Sequence, residues 1–153
     1  MIQINSDLIE LLAAFEKNKV RYLIIGGYAV GFHAEPRYTK DCDFWIATDP
    51  VNAKAVYDTL THFGAPLFGN SPKDFEDDDA FFFFGEPPNR IDIIMGPPGN
   101  LGFEEAWKRR IVQKVEDVPV FYVSKEDLIR LKNASGREID RRDVEALEKS
   151  GKQ

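Results

Sequence analysis

The sequence predicts an α/β (α+β) domain, and three patterns predict it. Apolar residues at helical spacing recur along the chain. Short β-branched or aromatic runs lie between them. Two such runs flank Gly85-Glu86-Pro87-Pro88-Asn89, the pattern of a hairpin with a five-residue connection. The 153 residues, 43% hydrophobic and with 12 phenylalanines, suit one domain across 1–153 with a sizeable core. No internal repeat and no low-complexity linker marks a boundary.

Taken in order, Ser6 is the expected cap of a first helix, with Leu8, Leu11, Leu12 and Phe15 on one face and an end near Lys17-Asn18. Val20 to Ile25 is an apolar strand stopped by Gly26-Gly27, and Tyr28 to Ala34 is a short helix broken by Pro36. Asp41 to Ala47 alternates polar with apolar residues until Asp49-Pro50, a cap followed by proline at the first helical position. Ala53, Val56, Leu60 and Phe63 mark the next helix, closed by Gly64. The acidic stretch Leu67 to Asp79 is expected to be a surface loop. Ala80 to Phe84 and Arg90 to Ile94 form the hairpin, and the first of these is read as a strand buried on both faces. A helix over Phe103 to Arg110, a strand over Val118 to Val123, a Ser124-capped helix ended by Gly136 and a last helix from Ile139 to Leu147 complete the chain.

Composition narrows the function. A net charge of −6 and a pI near 5.0 disfavour a surface built to coat nucleic acid, so a phosphate-bearing partner must be met locally. The single Cys42 allows no internal disulfide, and the opening residues Met1 to Asn5 lack the blocks of a signal peptide, which points to the cytoplasm. No apolar run approaches the roughly 20 residues that cross a bilayer, so no membrane partner is expected.

Chemistry concentrates around the Gly-Gly turn and the strand that follows. In a strand alternate residues share a face, so Asp41 and Asp43 point the same way. Asp92 lies in a second apolar strand. If the two strands are neighbours, the three carboxylates converge as hard oxygen ligands for Mg²⁺. Two such ions about 4 Å apart activate an attacking hydroxyl and steady a leaving pyrophosphate. Gly26-Gly27 before a helix N-terminus can present NH groups to a triphosphate. Together these parts describe phosphoryl transfer from a nucleotide.

Gly26-Gly27, Asp41-x-Asp43 and Asp92 in an apolar strand resemble the nucleotidyltransferase superfamily, the polymerase-β-like fold with its hG[GS]…Dh[DE]h pattern and later third acid. Gly-Gly-Tyr-Ala, His33, Arg37 and Thr39 are closer still to small bacterial proteins: AbiEii-toxin-like, minimal and lincosamide nucleotidyltransferases. Leu128-x-x-Leu131-Lys132 followed by Arg137 and Asp140-x-x-Asp143 is similar to the C-terminal pattern of that group. The resemblance spans about residues 20 to 147 and implies a mixed, twisted sheet with helices packed mainly on one face. It implies that Asp41, Asp43 and Asp92 bind metal, with Asp92 the base toward the acceptor. It further implies that Gly26 and Gly27 hold phosphate and that Arg37, Thr39 and Lys132 contact triphosphate or base. One departure is that Gly27 stands where the wider superfamily more usually has serine, so backbone must replace a hydroxyl contact.

The implied reaction is Mg²⁺-dependent transfer of a nucleoside monophosphate from an NTP to an acceptor hydroxyl, with two ions when NTP is bound and Mn²⁺ able to substitute. The acceptor stays open between tRNA, protein and a small molecule. The alternatives are a toxin of a toxin–antitoxin pair, with an antitoxin protein as partner, an antibiotic-modifying enzyme, and a non-catalytic relative that binds nucleotide or a partner. Other residues carry plainer readings. His33 packs or hydrogen-bonds at a helix end, His62 is structural, and of Arg37 and Lys40 only Arg37 is a candidate for function. Trp107-Lys108-Arg109-Arg110 covers the sheet with its basic ends exposed.

Overall fold

The structure, a computed structural model, describes residues 5–151; the opening residues 1–4, read above for a signal peptide, lie outside them. The elements run α1 (Ser6–Lys17), β1 (Tyr22–Ile25), α2 (Gly26–His33), β2 (Asp41–Ile46), α3 (Pro50–Phe63), β3 (Phe81–Phe84), β4 (Arg90–Ile94), α4 (Phe103–Lys108), β5 (Ile111–Val115), β6 (Val118–Tyr122), α5 (Lys125–Ser135) and α6 (Glu138–Lys149). The strands form one mixed sheet in the order β3-β4-β2-β1-β6-β5. β2 and β4 run parallel, as do β1 and β6, and the other pairs are antiparallel.

Local chemistry sets most of the boundaries. Asp49 accepts a hydrogen bond from Asn52 N to open α3, and Gly64 closes it in the left-handed conformation at φ +93°. Ser124 caps α5 and Gly136, at φ +70°, ends it. The cap of α1 is Asn5 rather than Ser6: its side chain accepts from Leu8 N at 2.8 Å, one residue earlier than the sequence suggests. Helix α2 also starts early, at Gly26, directly from the end of β1.

One sheet face carries Tyr22, Ile24, Cys42, Phe44, Ile91, Ile93, Phe82 and Phe84, all buried. Helices α1, α2 and α3 cover it. Phe15 of α1 meets Tyr22 and Phe44 with ring centroids 5.4 and 5.3 Å apart, and Phe32 of α2 stacks on Tyr122 at 4.0 Å. The opposite face is covered only in part: Phe103 of α4 meets Trp45 edge-on, and the end of the sheet that carries the acids stays open.

Three readings need correction. Phe81 to Phe84 is not buried on both faces, because β3 is the edge of the sheet and only one side is covered. Phe82 and Phe84 are buried while Phe81 and Phe83 are 61% and 45% exposed. The stretch 67–79 is not simply a surface loop: a short 3₁₀ helix, Pro72–Glu76, puts Phe75 into the core at 1% exposure, against Tyr57 and Phe82. A strand not expected from the sequence, β5, pairs with β6 through a turn in which Glu116 and Asp117 both take positive φ. Neither is the glycine or asparagine that usually advertises such a turn. Among the described residues no helix is long and apolar enough to cross a membrane.

One polar side chain ties three elements together. Buried Asn52 of α3 accepts from Arg21 N at 2.8 Å and donates to Arg21 O and Ala47 O at 3.0 and 2.7 Å, locking α3 to the ends of β1 and β2. Asn52→Ala is expected to cost about 2–3 kcal/mol, since it strands buried backbone groups. A lower urea midpoint with an unchanged denaturant slope checks this.

Candidate active site

The register of β2 against β4 builds the site. Parallel pairing sets Asp43 opposite Asp92, and Asp41 lies two residues earlier on the same face. Carboxylate oxygens of Asp41, Asp43 and Asp92 all lie within 4.8 Å of one another. Like charges so close disfavour ionisation. Burial first, then the charges of Asp41 and Asp92 and a hydrogen bond with Asp92, push Asp43 up to about 8. Asp41 is raised as well, by burial and by Asp92, with Arg90 opposing. Asp43 Oδ1 is closed off from solvent and has no hydrogen-bond partner. A buried carboxylate oxygen without a donor, inside a cluster of three acids, is chemically incomplete, and a hard divalent cation fits the donor set.

The glycine turn abuts these acids. Gly26, at φ +72°, leaves no room for a side chain: a Cβ there would collide with the Asp43 carboxylate. A Cβ at Gly27 would lie 2.7 Å from Thr39 Oγ1 and 3.2 Å from Arg37 Nη2. No side chain caps α2 at Ile25, and the first NH groups of a helix have no partner within the helix.

Gly26, Gly27, Arg37, Thr39, Asp41, Asp43, Asp92 and Lys132, all expected from the sequence, line one cleft of about 520 Å³. Their states differ. Thr39 donates to Asp41 O at 3.0 Å and thereby fixes the start of β2. Lys132, 6% exposed, lies 3.2 Å from Asp140 Oδ1 and 2.9 Å from Asp143 Oδ2. Arg37 reaches the same Asp143 at 3.0 Å, and Arg137 grips Asp140 with two hydrogen bonds of 2.8 and 3.1 Å. Burial alone would raise Asp140, but hydrogen bonds from Arg137, Ser135 and Lys132 outweigh it and hold the group well below the usual carboxylate range. Three cations thus share two carboxylates, which leaves this wall positive and facing the acids.

Arg90 is the residue that the sequence reading passed over. Its Nε donates to Asp92 Oδ1 at 2.7 Å, and its guanidinium lies 3.9 Å from the centre of the Phe83 ring. Its position two residues before Asp92 on one strand is the signal that would have found it. His33 is buried with Nε2 2.7 Å from Val123 O, as a packing role requires. The basic run near Trp107 is used locally: Arg109 binds Asp127 with two hydrogen bonds and Arg110 stacks on Trp107.

Comparison with solved structures supplies the frame for this geometry. The chain superposes on the lincosamide antibiotic adenylyltransferase LnuA, solved with lincomycin bound, with a TM-score of 0.57 and 19% identity over 95% of this chain and 97% of that one. The chain has the nucleotidyltransferase fold. Neither a protein-family profile nor a curated protein matches the sequence. Within the nucleotidyltransferase fold the three acids, the Gly-Gly turn and the positive wall occupy one end of the sheet, where β1, β2 and β4 meet α2, α5 and α6.

The raised Asp43 has a consequence for stability. In the unfolded chain it ionises near pH 4, whereas in the metal-free fold it does so at about 8. Between these values the folded protein keeps a proton that the unfolded chain has released, so stability is greatest at the acid end and declines as pH rises toward 8. Urea titrations in chelator from pH 5 to 8 are expected to show this fall, and Asp43→Asn to flatten it. Added Mg²⁺ is expected to reverse it, by favouring the ionised carboxylate.

Proposed function

We propose that the protein is a divalent-cation-dependent nucleotidyltransferase that moves a nucleoside monophosphate from an NTP to an acceptor hydroxyl and releases pyrophosphate. The observation that carries this reading is the convergence of the Asp41, Asp43 and Asp92 carboxylates within 4.8 Å beside a glycine turn that tolerates no side chain. Asp41 and Asp43 would hold Mg²⁺, with Asp92 completing the set and Mn²⁺ able to substitute. The ion supplies Lewis acidity and neutralises charge on the phosphate oxygens.

The chain's own residues do the rest. NH groups at Gly26 and Gly27 bind phosphate oxygens, and the shortage of side-chain volume there lets the phosphate approach the acids. Arg37 and Lys132, with Arg137 behind them, attract the remaining negative charge of the triphosphate, while Thr39 keeps Asp41 in register. The acceptor hydroxyl attacks the α-phosphorus, its proton passes to Asp92, and the bond to pyrophosphate breaks. Arg90 bonds Asp92 Oδ1 and so orients the carboxylate that receives that proton. Catalysis on this reading rests on positioning and preorganised charge.

Incubation of the pure protein with each α-labelled NTP, Mg²⁺ or Mn²⁺ and cell extract tests the proposal, and the fraction that becomes labelled (RNA, protein or small molecules) names the acceptor class. Asp41→Ala and Asp43→Ala are each expected to lower transfer by at least about 10²–10³-fold while circular dichroism stays unchanged. Chelation is expected to abolish it. Full activity in either variant would sink the reading.

A further inference from the structure

A nucleoside triphosphate is a linear molecule whose α-phosphate lies between its base and its outer phosphates. If the α-phosphate lies at the acids, the two ends must leave them in different directions. One direction is the positive wall of Arg37, Lys132 and Arg137 with Gly27 and Thr39. The other is a niche of about 130 Å³ beside the main cleft, which shares Gly26, Asp43, Ile94, Lys132 and Arg137 with it as lining residues. Its walls are apolar: Ile25 and Ile94 from the sheet, Pro97 and Pro98 from the loop after β4, and Leu128 and Leu131 from α5.

We propose that this niche holds the nucleobase, and that it selects a flat ring rather than one particular base. The proposal rests on the nucleotidyltransferase reading and adds where the nucleoside lies and how it is chosen. Two observations carry it. The apolar walls suit the faces of an aromatic ring and offer nothing to phosphate. The polar side chains at the niche are already engaged on this reading: Asp140 takes hydrogen bonds from Lys132, Arg137 and Ser135, those two cations also face the triphosphate, and Asp43 is assigned to the divalent ion. On that assignment no side chain there is spare to read the edge of a base, and strong discrimination between bases needs a site built to hydrogen-bond it. Ring area remains, so purines bind more tightly than pyrimidines.

Titration calorimetry in Mg²⁺ of wild type and Leu131→Trp, with ATP, GTP, CTP, UTP and inorganic tripolyphosphate, tests this. Leu131→Trp extends the α5 wall into the niche, and Pro98→Ala removes part of the opposite wall as a second variant on an exposed loop. In wild type, ATP and GTP are expected to bind within about tenfold of each other, far less than the roughly 10⁴-fold imposed by a hydrogen-bonded site. Leu131→Trp is expected to weaken every NTP by at least about tenfold, the loss of some 1.4 kcal/mol, and to leave tripolyphosphate affinity unchanged; Pro98→Ala acts in the same direction. Unchanged NTP binding in both variants, an equal loss of tripolyphosphate, or a strong preference for one base overturns the proposal. Failure of wild type to bind either an NTP or tripolyphosphate is a different outcome: it removes the nucleotidyltransferase reading, and this inference falls with it.

Discussion

Mutual repulsion among three carboxylates is the constraint on which the rest of this structure depends. The parallel register of β2 and β4 forces Asp43 against Asp92, and pleating brings Asp41 to the same face. A fold that made such a cluster by chance would relieve it by turning one acid toward water or giving it a donor. Here Asp43 has a buried oxygen without one, and the nearest cation bonded to the cluster, Arg90, reaches only Asp92. The charge is therefore left for something the chain does not contain. The surroundings follow from that: glycines leave space beside the acids, α2 begins without a side-chain cap, and the cations of α5 and of the segment before α6 face the same opening.

The positive wall is arranged with similar economy. Lys132, nearly buried, would be costly in isolation, and Asp140 and Asp143 on successive turns of α6 offset its charge. The same two acids orient Arg37 and Arg137. One network thus ties α6 to α5 and to the segment before β2, and holds guanidinium and ammonium groups in place before any anion arrives, so little of the ordering cost falls on binding. An anion carrying several charges can compete for cations already paired in this way far better than one carrying a single charge.

Much of the site was legible in the sequence because its parts obey short-range rules. Alternation along a strand put Asp41 and Asp43 on one face, and Asp49-Pro50, Gly64 and Gly136 announced helix ends that the structure reproduces. What could not be read depends on tertiary position. Four phenylalanines in a row look the same on an inner strand and an edge strand, and only the place of β3 in the sheet exposes Phe81 and Phe83. Phe75 is hidden among acids, where local composition outvotes one buried ring. β5 ends on a Glu-Asp turn with no glycine to mark it. The contact of Arg37 with Asp143 of α6 joins residues 106 apart in the chain, and spacing alone says nothing of it.

The crowding at Gly27 reaches beyond this one molecule. A side chain at position 27 and the hydroxyl of Thr39 compete for one small volume, and Thr39 already fills it. The two positions are therefore sterically coupled: a larger residue at 27 calls for a change at 39. A serine or alanine at 27 is compatible with a smaller residue at 39, or with a start of β2 that has moved away. The glycine at 27 and the threonine twelve residues later thus divide one small volume between them, and the size of either sets what the other can be.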